Sequence, residues 1–465
     1  MEEKLLHSWG YVWDTISEEE KTEVFELGER YKEFLDSGKT ERECTEEIIE
    51  RARAAGFISM DEALSGDGKL MPGDKVYANN RDKSVVLFVI GSEAMENGVN
   101  IVASHLDSPR IDLKPFPLYE EEGLGFFKTH YYGGIKKYQW ATIPLELHGV
   151  VFTKTGEKVN VQIGKSEDDP VFFITDLLPH LAKDQMDKKL SEAITGEGLN
   201  VLVGSNGLSG VEENRVKSQI LSILNEKYGI SELDFTTSEL QIVPAGRSRD
   251  VGLDRSMIAG YGQDDRVCVY SSLEAILEVE SPERTAVSIY MDKEEIGSVG
   301  NTGMESVFFE LALAEIMNKL DESYSEIKLK RALSRSRALS ADTVAAFDPN
   351  FPDVLDKKNA PFMGKGMALV KYTGVRGKSE TNDANAEYLS DIRQALDRHN
   401  VIWQIGELGK VDQGGGGTVA YMLAKYGMEV VDCGVSLLSV HAPFEISHKA
   451  DIYMAKRGYK AFLEN

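Results

Sequence analysis

Four short stretches place carboxylates and imidazoles where an apolar run gives out, and a fifth places two aspartates where a helical pattern begins. "VNIVASHLDS" sets His105 and Asp107 at the end of a strand-like segment, and "SIYMDKEEIGS" ends another in Asp292, Lys293, Glu294 and Glu295. "RALSADT" does the same for Asp342 and "VSLLSVHAP" for His441, while "GYGQDDRV" puts Asp264 and Asp265 at the start of a helical pattern. Imidazole nitrogen and carboxylate oxygen together suit zinc, cobalt or manganese. The spacing His105-x-Asp107 allows the aspartate to accept a hydrogen bond from the distal imidazole nitrogen, which fixes the ring. Adjacent Glu294 and Glu295 suit two cations, one glutamate ligating and its neighbour handling a water. Each piece alone has an ordinary alternative: a structural histidine, a solvated loop, a helix N-cap.

For these residues to meet, strands must deliver them to one edge. In open α/β sheets, ligands bind outside the carboxyl ends of the strands. The first 60 residues look helical, with capping boxes at Ser17–Glu20 and Thr40–Glu43, stops at Gly38 and Gly56, and Cys44, Ile48, Ala52 and Ala55 on one face. Strand-like runs follow at 84–90 and 99–104. After Pro115 and Pro117 the texture changes to polar alternation in "ATIPLELHGVVF", "KVNVQIG" and "PVFFIT". From about 245 strand and helix alternate again, ending in the helical "ADIYMAKRGYKAFLE". The expectation is an α/β fold, a mixed sheet covered by helices, over 1–114 and 246–465, with a β-rich second domain inserted at 115–245.

Composition narrows the function classes. The chain has 465 residues, enough for two domains. A formal net charge of -25 argues against general nucleic-acid binding, which needs a basic face. Cys44, Cys268 and Cys433 form neither a disulfide framework nor a CxxC knuckle, and read as buried reduced thiols. No signal peptide is legible at "MEEKLLHSWGYVW", and no apolar run approaches the roughly 20 residues of a membrane span. A cytoplasmic protein with no membrane partner is expected.

Taken in order along the chain, "ASHLDSPR", "GQDDRV", "DKEEIGS", "SADT" and "SVHAPFEISHKADIY" resemble the aspartyl aminopeptidase family of dinuclear-metal exopeptidases, its bacterial branch above all. "GKGMALVKYTG" and "TNDANAE" resemble it too. The resemblance implies that Asp264 bridges two divalent cations, zinc foremost. It implies that His105 and Asp342 complete one metal and Glu295 and His441 the other. Glu294 then matches the general base, and Asp107 the residue that orients His105. A zinc-exopeptidase-like catalytic domain is implied, with an inserted domain that forms subunit contacts and covers the active site, in a homo-oligomer that is commonly a dodecamer. One departure stands out. Where many members carry a histidine in "PxLAxH", this chain has "LPHLAKD", so Asp184 takes that position and His180 lies four residues earlier.

The implied activity is removal of the N-terminal residue from peptides with a free N-terminus, by a water that two metals activate and Glu294 deprotonates. No nucleophile elbow GxSxG is present. Lys371, in "ALVKYTG", lies in a segment resembling the family's substrate-side loop, and acidic N-terminal residues are the preference the family name suggests. A neutral preference is the alternative. The run "DQGGGG" (412–417) lacks the Walker lysine, and Gly416 is taken as backbone wall against the substrate. A dinuclear phosphoesterase and an inactive scaffold on a peptidase fold are the rival functions.

Overall fold

Local signals settle the first elements. In the computed structural model, which describes residues 5–66, 68–321, 323–374 and 376–465, Ser17 and Glu20 exchange side-chain and backbone hydrogen bonds at the start of α1 (Glu18–Ser37). Thr40 and Glu43 do the same for α2 (Glu41–Ala54). Each box satisfies two backbone donors that the first helical turn leaves without partners.

The chain divides into two compact units: Met1–Asp107 with Ser248–Val440 and Glu445–Asn465, and Ser108–Arg247 with His441–Phe444. Among the described residues the first unit contains a nine-stranded sheet. Its strands are β1 (Ile58–Ser59), β2 (Lys75–Asn80), β3 (Ser84–Val89), β4 (Asn100–His105), β5 (Ala286–Met291), β6 (Arg337–Ala341), β7 (Met367–Val370), β8 (Trp403–Gly406) and β9 (Glu429–Gly434), in the order β1-β2-β3-β5-β4-β6-β9-β7-β8. The four central strands β5, β4, β6 and β9 run parallel; β3 and β7 flank them antiparallel, so the sheet is mixed.

The sheet separates two apolar layers. On β3, Val85, Leu87 and Val89 face one core and Val86 and Phe88 the other, and every residue of β3, β4 and β5 is buried. A strand covered on both faces reads as a continuous apolar run, which is why these segments stand out in the sequence. The first core takes side chains from α1, α2, α3 (Gln263–Leu277) and α6 (Lys449–Leu463). The second takes them from α4 (Phe308–Leu320) and the helix Glu326–Arg335. The helix α5 (Ala386–Arg398) adds Tyr388, Ile392 and Leu396 to the first core.

The second unit holds a six-stranded sheet among the described residues, ordered Lys158–Ile163, Leu145–Phe152, Ser238–Pro244, Arg110–Glu121, Leu124–Tyr132, Val201–Gly204. Three local features differ from the sequence expectation. Arg110–Glu121 runs straight through Pro115 and Pro117, and its pairing with Leu124–Tyr132 shifts register between Leu113 and Leu118. Prolines are tolerated where a ladder is interrupted. "PVFFIT" is no strand: it pairs only through single bridges at Phe172 and Phe173. A helix, Arg215–Tyr228, also stands in this unit and ends in left-handed Gly229. No described helix is long and apolar enough to cross a membrane.

Candidate metal and catalytic centre

β4 ends at His105, which is 2 % exposed. β5 runs parallel beside it with Met291 opposite His105, and β6 flanks β4 on its other side with Ser340 opposite Ala103. Parallel neighbours end at one edge of the sheet. Asp342, just past β6, and Glu294, three residues past β5, therefore reach His105 from either side. Beyond β5 the chain turns at left-handed Lys293 (φ 71°), whose Nζ donates to Thr302 Oγ1, and then forms the short helical turn Glu294–Ile296.

His105 Nε2 lies 3.5 Å from Asp264 Oδ1, 3.8 Å from Asp342 Oδ1 and 3.9 Å from Glu294 Oε2. The donor atoms of His105, Asp264 and Asp342 lie within 4.8 Å of one another, and so do those of His105, Glu294 and Glu295. Asp264 and Asp265 do not adopt helical dihedrals, and the peptide bond between them is cis.

Asp107 meets both His105 and the glutamate turn. The His105 Nδ1 bonds to the Asp107 backbone carbonyl at 3.0 Å, while the carboxylate oxygen stands 3.5 Å away. The carboxylate instead accepts the backbone N–H of Glu294 on one oxygen and of Glu295 on the other, both at 3.1 Å. One residue thus orients the ring and holds the glutamate turn.

Three further residues bond to the backbone of the centre: Asp265, already marked in the sequence beside Asp264, and Glu445 and Arg266, which were not singled out there. The Glu445 carboxylate accepts the Asp264 N–H at 3.0 Å, and its carbonyl accepts from Gln263 Nε2. Asp265 Oδ2 accepts the His105 N–H at 3.2 Å. Arg266, 1 % exposed, donates from Nε to the Leu106 carbonyl and from Nη2 to that of Lys39.

The electrostatics point one way. Burial pushes Glu294 up to about 8; His105 opposes it, and the charges of Asp342, Asp107 and Asp264 add to it. Burial also raises Asp342. For His105 burial lowers the pKa, but Asp107, Asp264 and Asp342 outweigh it and raise the imidazole well above its usual range. Burial thus favours the protonated form of the two carboxyl groups, and the neighbouring carboxylates favour the protonated imidazole. Divalent cations would supply the missing positive charge, and the oxygen and imidazole donors suit them.

The remaining sequence candidates stand as follows. His441 lies four residues past the end of the short strand Ser436–Leu437, in left-handed conformation (φ 63°), with Nδ1 bonded to the Gly134 carbonyl at 2.8 Å. His180 is exposed on the turn Pro179–Leu181. Lys371 follows β7 and donates to Asp383 Oδ1 at 2.6 Å. Gly416 is exposed, and a Cβ there would meet nothing closer than Leu408 Cδ2 at 3.8 Å, so the protein's own packing does not demand glycine.

The family described as "Aminopeptidase I zinc metalloprotease (M18)" matches residues 34–463. "Probable M18 family aminopeptidase 1" of Clostridium acetobutylicum is 54% identical over 466 residues, covering 100% of both chains. The crystal structure of an M18 family aminopeptidase from Thermotoga maritima superimposes with a TM-score of 0.95 at 46% identity, over 99% of this chain and 100% of that one. The S. cerevisiae mApe1 dodecamer shares the fold at 18% identity, with a TM-score of 0.76 over 94% of this chain and 96% of that one. The chain therefore belongs to the M18 aminopeptidase I family of zinc metalloproteases, a family of metallo-aminopeptidases.

Proposed function

We propose that the protein removes single N-terminal residues from peptides, with two divalent cations held at the β4–β5–β6 edge. The observation that carries this is the cluster of His105, Asp264, Asp342, Glu294 and Glu295, whose donor atoms meet within 4.8 Å in two overlapping sets. His105, Asp264 and Asp342 would hold one cation, and the family resemblance assigns Asp264 to both. The family resemblance assigns Glu295 and His441 to the other. Zinc is the metal the family description supports, with cobalt or manganese as alternatives. Cations held there would supply Lewis acidity toward the scissile carbonyl and toward a water.

Glu294 is the base. It stands beside the cluster, and its backbone is fixed by Asp107. It takes the proton of the attacking water and passes it to the departing amine. Asp107, through its carbonyl, fixes the His105 ring. The Gly416 backbone lines the substrate's path, its lack of a side chain leaving room for close approach. Lys371 is the candidate for reading an acidic N-terminal side chain.

We infer a cytoplasmic, closed homo-oligomer, twelve subunits being the form of the S. cerevisiae mApe1 dodecamer. The inserted domain, 115–245, is assigned to subunit contacts and to covering the active site, with His180 as the candidate histidine from a neighbouring subunit.

Assaying the purified protein on aminoacyl-p-nitroanilides and on a phosphodiester, with and without zinc or cobalt, tests the proposal. Metal-dependent release of p-nitroaniline is expected. Hydrolysis of the phosphodiester alone would replace the peptidase assignment with a phosphoesterase.

A further inference from the structure

Asp432 is 3 % exposed and lies in β9, between β6 and β7. Its register partners are Ser340 on β6, two residues before Asp342, and Val370 on β7, the residue before Lys371. Its Oδ1 accepts the Thr418 hydroxyl at 2.6 Å. Thr418 directly follows the glycine run 414–417, and its hydroxyl oxygen also accepts the Ala420 N–H, at the start of the short helix Ala420–Ala424.

β9 also grips Asp342 directly. The Asp342 N–H donates to the Cys433 carbonyl at 3.2 Å. At Gly434 a Cβ would stand 2.0 Å from the Asp342 carbonyl, so only glycine admits that approach. One strand segment, 432–434, therefore fixes both Asp342 and the far end of the glycine run.

The glycine run has few constraints of its own. Lys410 and Gln413 close a tight loop by two backbone bonds, and Gly414 and Gly415 have φ of 97° and 91°. Beyond Gln413 the Thr418 hydroxyl is the next tether. A buried carboxyl is a costly way to join two segments, since an apolar side chain could fill the space. What it supplies is direction: one oxygen, one hydroxyl, one position for the loop. Burial raises the Asp432 pKa to about 7 against the Thr418 and Ser340 hydroxyls. The Ser340 hydroxyl faces it without completing a hydrogen bond to any described residue.

We propose that Asp432 and Thr418 are positioning residues for the peptidase reaction, clamping the glycine run 414–417 at a fixed distance from the strand end that carries Asp342. This rests on the assignment of that run to the substrate's path. The clamp acts on substrate placement, so its loss appears in KM before kcat.

Thr418→Val removes the hydroxyl and keeps the shape; Thr418→Ser restores it. For Thr418→Val, KM on a leucyl-p-nitroanilide should rise about tenfold, the lower end of what a hydrogen bond to a charged group is worth, with kcat within about twofold. Thr418→Ser should return KM to the wild-type value. Hydrogen exchange read by mass spectrometry should show faster exchange over 411–419 in Thr418→Val and unchanged exchange over β6. Unchanged KM and unchanged exchange would overturn the clamp. So would a fall in melting temperature with KM and local exchange intact, the mark of a merely structural bond. A wild type inactive on every peptide would sink the peptidase assignment instead, and the exchange measurement would still decide the clamp.

Discussion

The Asp107 carboxylate holds Glu294 by its backbone, not its side chain: Oδ1 accepts the Glu294 N–H at 3.1 Å while Oδ2 takes that of Glu295. Both glutamates are thereby aimed from one anchor two residues past the strand that ends in His105. A carboxylate accepting two N–H groups makes charge-assisted bonds, stronger than neutral ones.

Asp107→Asn should therefore cost more than one hydrogen bond. The amide keeps one acceptor but points an NH2 at the second backbone N–H. Losing one such bond is worth about 1.5–3 kcal/mol, so kcat should fall roughly 10- to 100-fold. Steady-state kinetics and metal analysis check this. Full activity would show that the glutamate turn holds itself.

Base and ligand separate by mutation of the pair. Glu294→Gln should keep its metals and lose about 10²- to 10⁴-fold in rate, the worth of a positioned general base. Glu295→Gln should lower metal occupancy. Elemental analysis with the roles inverted would exchange the two assignments.

Much of this was legible in the sequence, for local reasons. The capping boxes at Ser17 and Thr40 formed because they need only residues three apart. β3, β4 and β5 were visible because burial on both faces leaves an unbroken apolar run. The helix Arg215–Tyr228 has a local signature too: Val216, Ile220 and Leu224 recur every four residues, and Gly229 stops them. The capping box Ser59–Glu62 is another local signal. Glu445 and Arg266 were not legible. Their partners Asp264 and Leu106 lie 181 and 160 residues away, and no local period encodes such a contact. Asp107 shows the intermediate case: its spacing from His105 suggested a ring bond through the carboxylate, but the turn geometry gave that bond to the carbonyl and freed the carboxylate for Glu294.

Metal loading should release protons, and the sign follows from the raised pKa values. Glu294, held at about 8, and Asp342, raised by burial, bind more protons in the folded chelated protein than when unfolded. The stability they provide is present at low pH and falls as pH rises toward about 8. Asp451, raised by burial to about 8 against the N–H groups of Gly364 and Gly366, has the same sign. His105, raised by its carboxylate neighbours against burial, adds to it. Cations favour the deprotonated ligands, so apparent zinc affinity should increase with pH. Activity should vanish with a strong chelator and return with a divalent transition metal. Calorimetry in buffers of different ionisation heat measures the proton count; a binding heat independent of buffer would contradict it.

The proposed role of Lys371 in reading an acidic N-terminal side chain faces a competitor. Its ammonium already has a partner, Asp383 Oδ1 at 2.6 Å, and Lys378 takes the other oxygen at 3.1 Å. The side chains are 44% and 40% exposed for Lys371 and Asp383, so the pair is worth about 0.2–1 kcal/mol and weakens with salt. An acidic N-terminal side chain must displace Asp383 to reach Lys371. Asp383→Asn removes the competitor's charge, and kcat/KM on an aspartyl-p-nitroanilide should rise by up to about fivefold, the upper worth of such a pair. A leucyl substrate should be unaffected. Lys371→Met should act in reverse, lowering the aspartyl value by about tenfold or more, as loss of a hydrogen bond to a charged group does, and sparing the leucyl one. Equal losses on both substrates would make Lys371 a structural partner of Asp383. A wild-type enzyme indifferent to aspartyl and glutamyl substrates would place the chain with a neutral preference, and the Lys371–Asp383 pair would then serve to hold the segment after β7 closed.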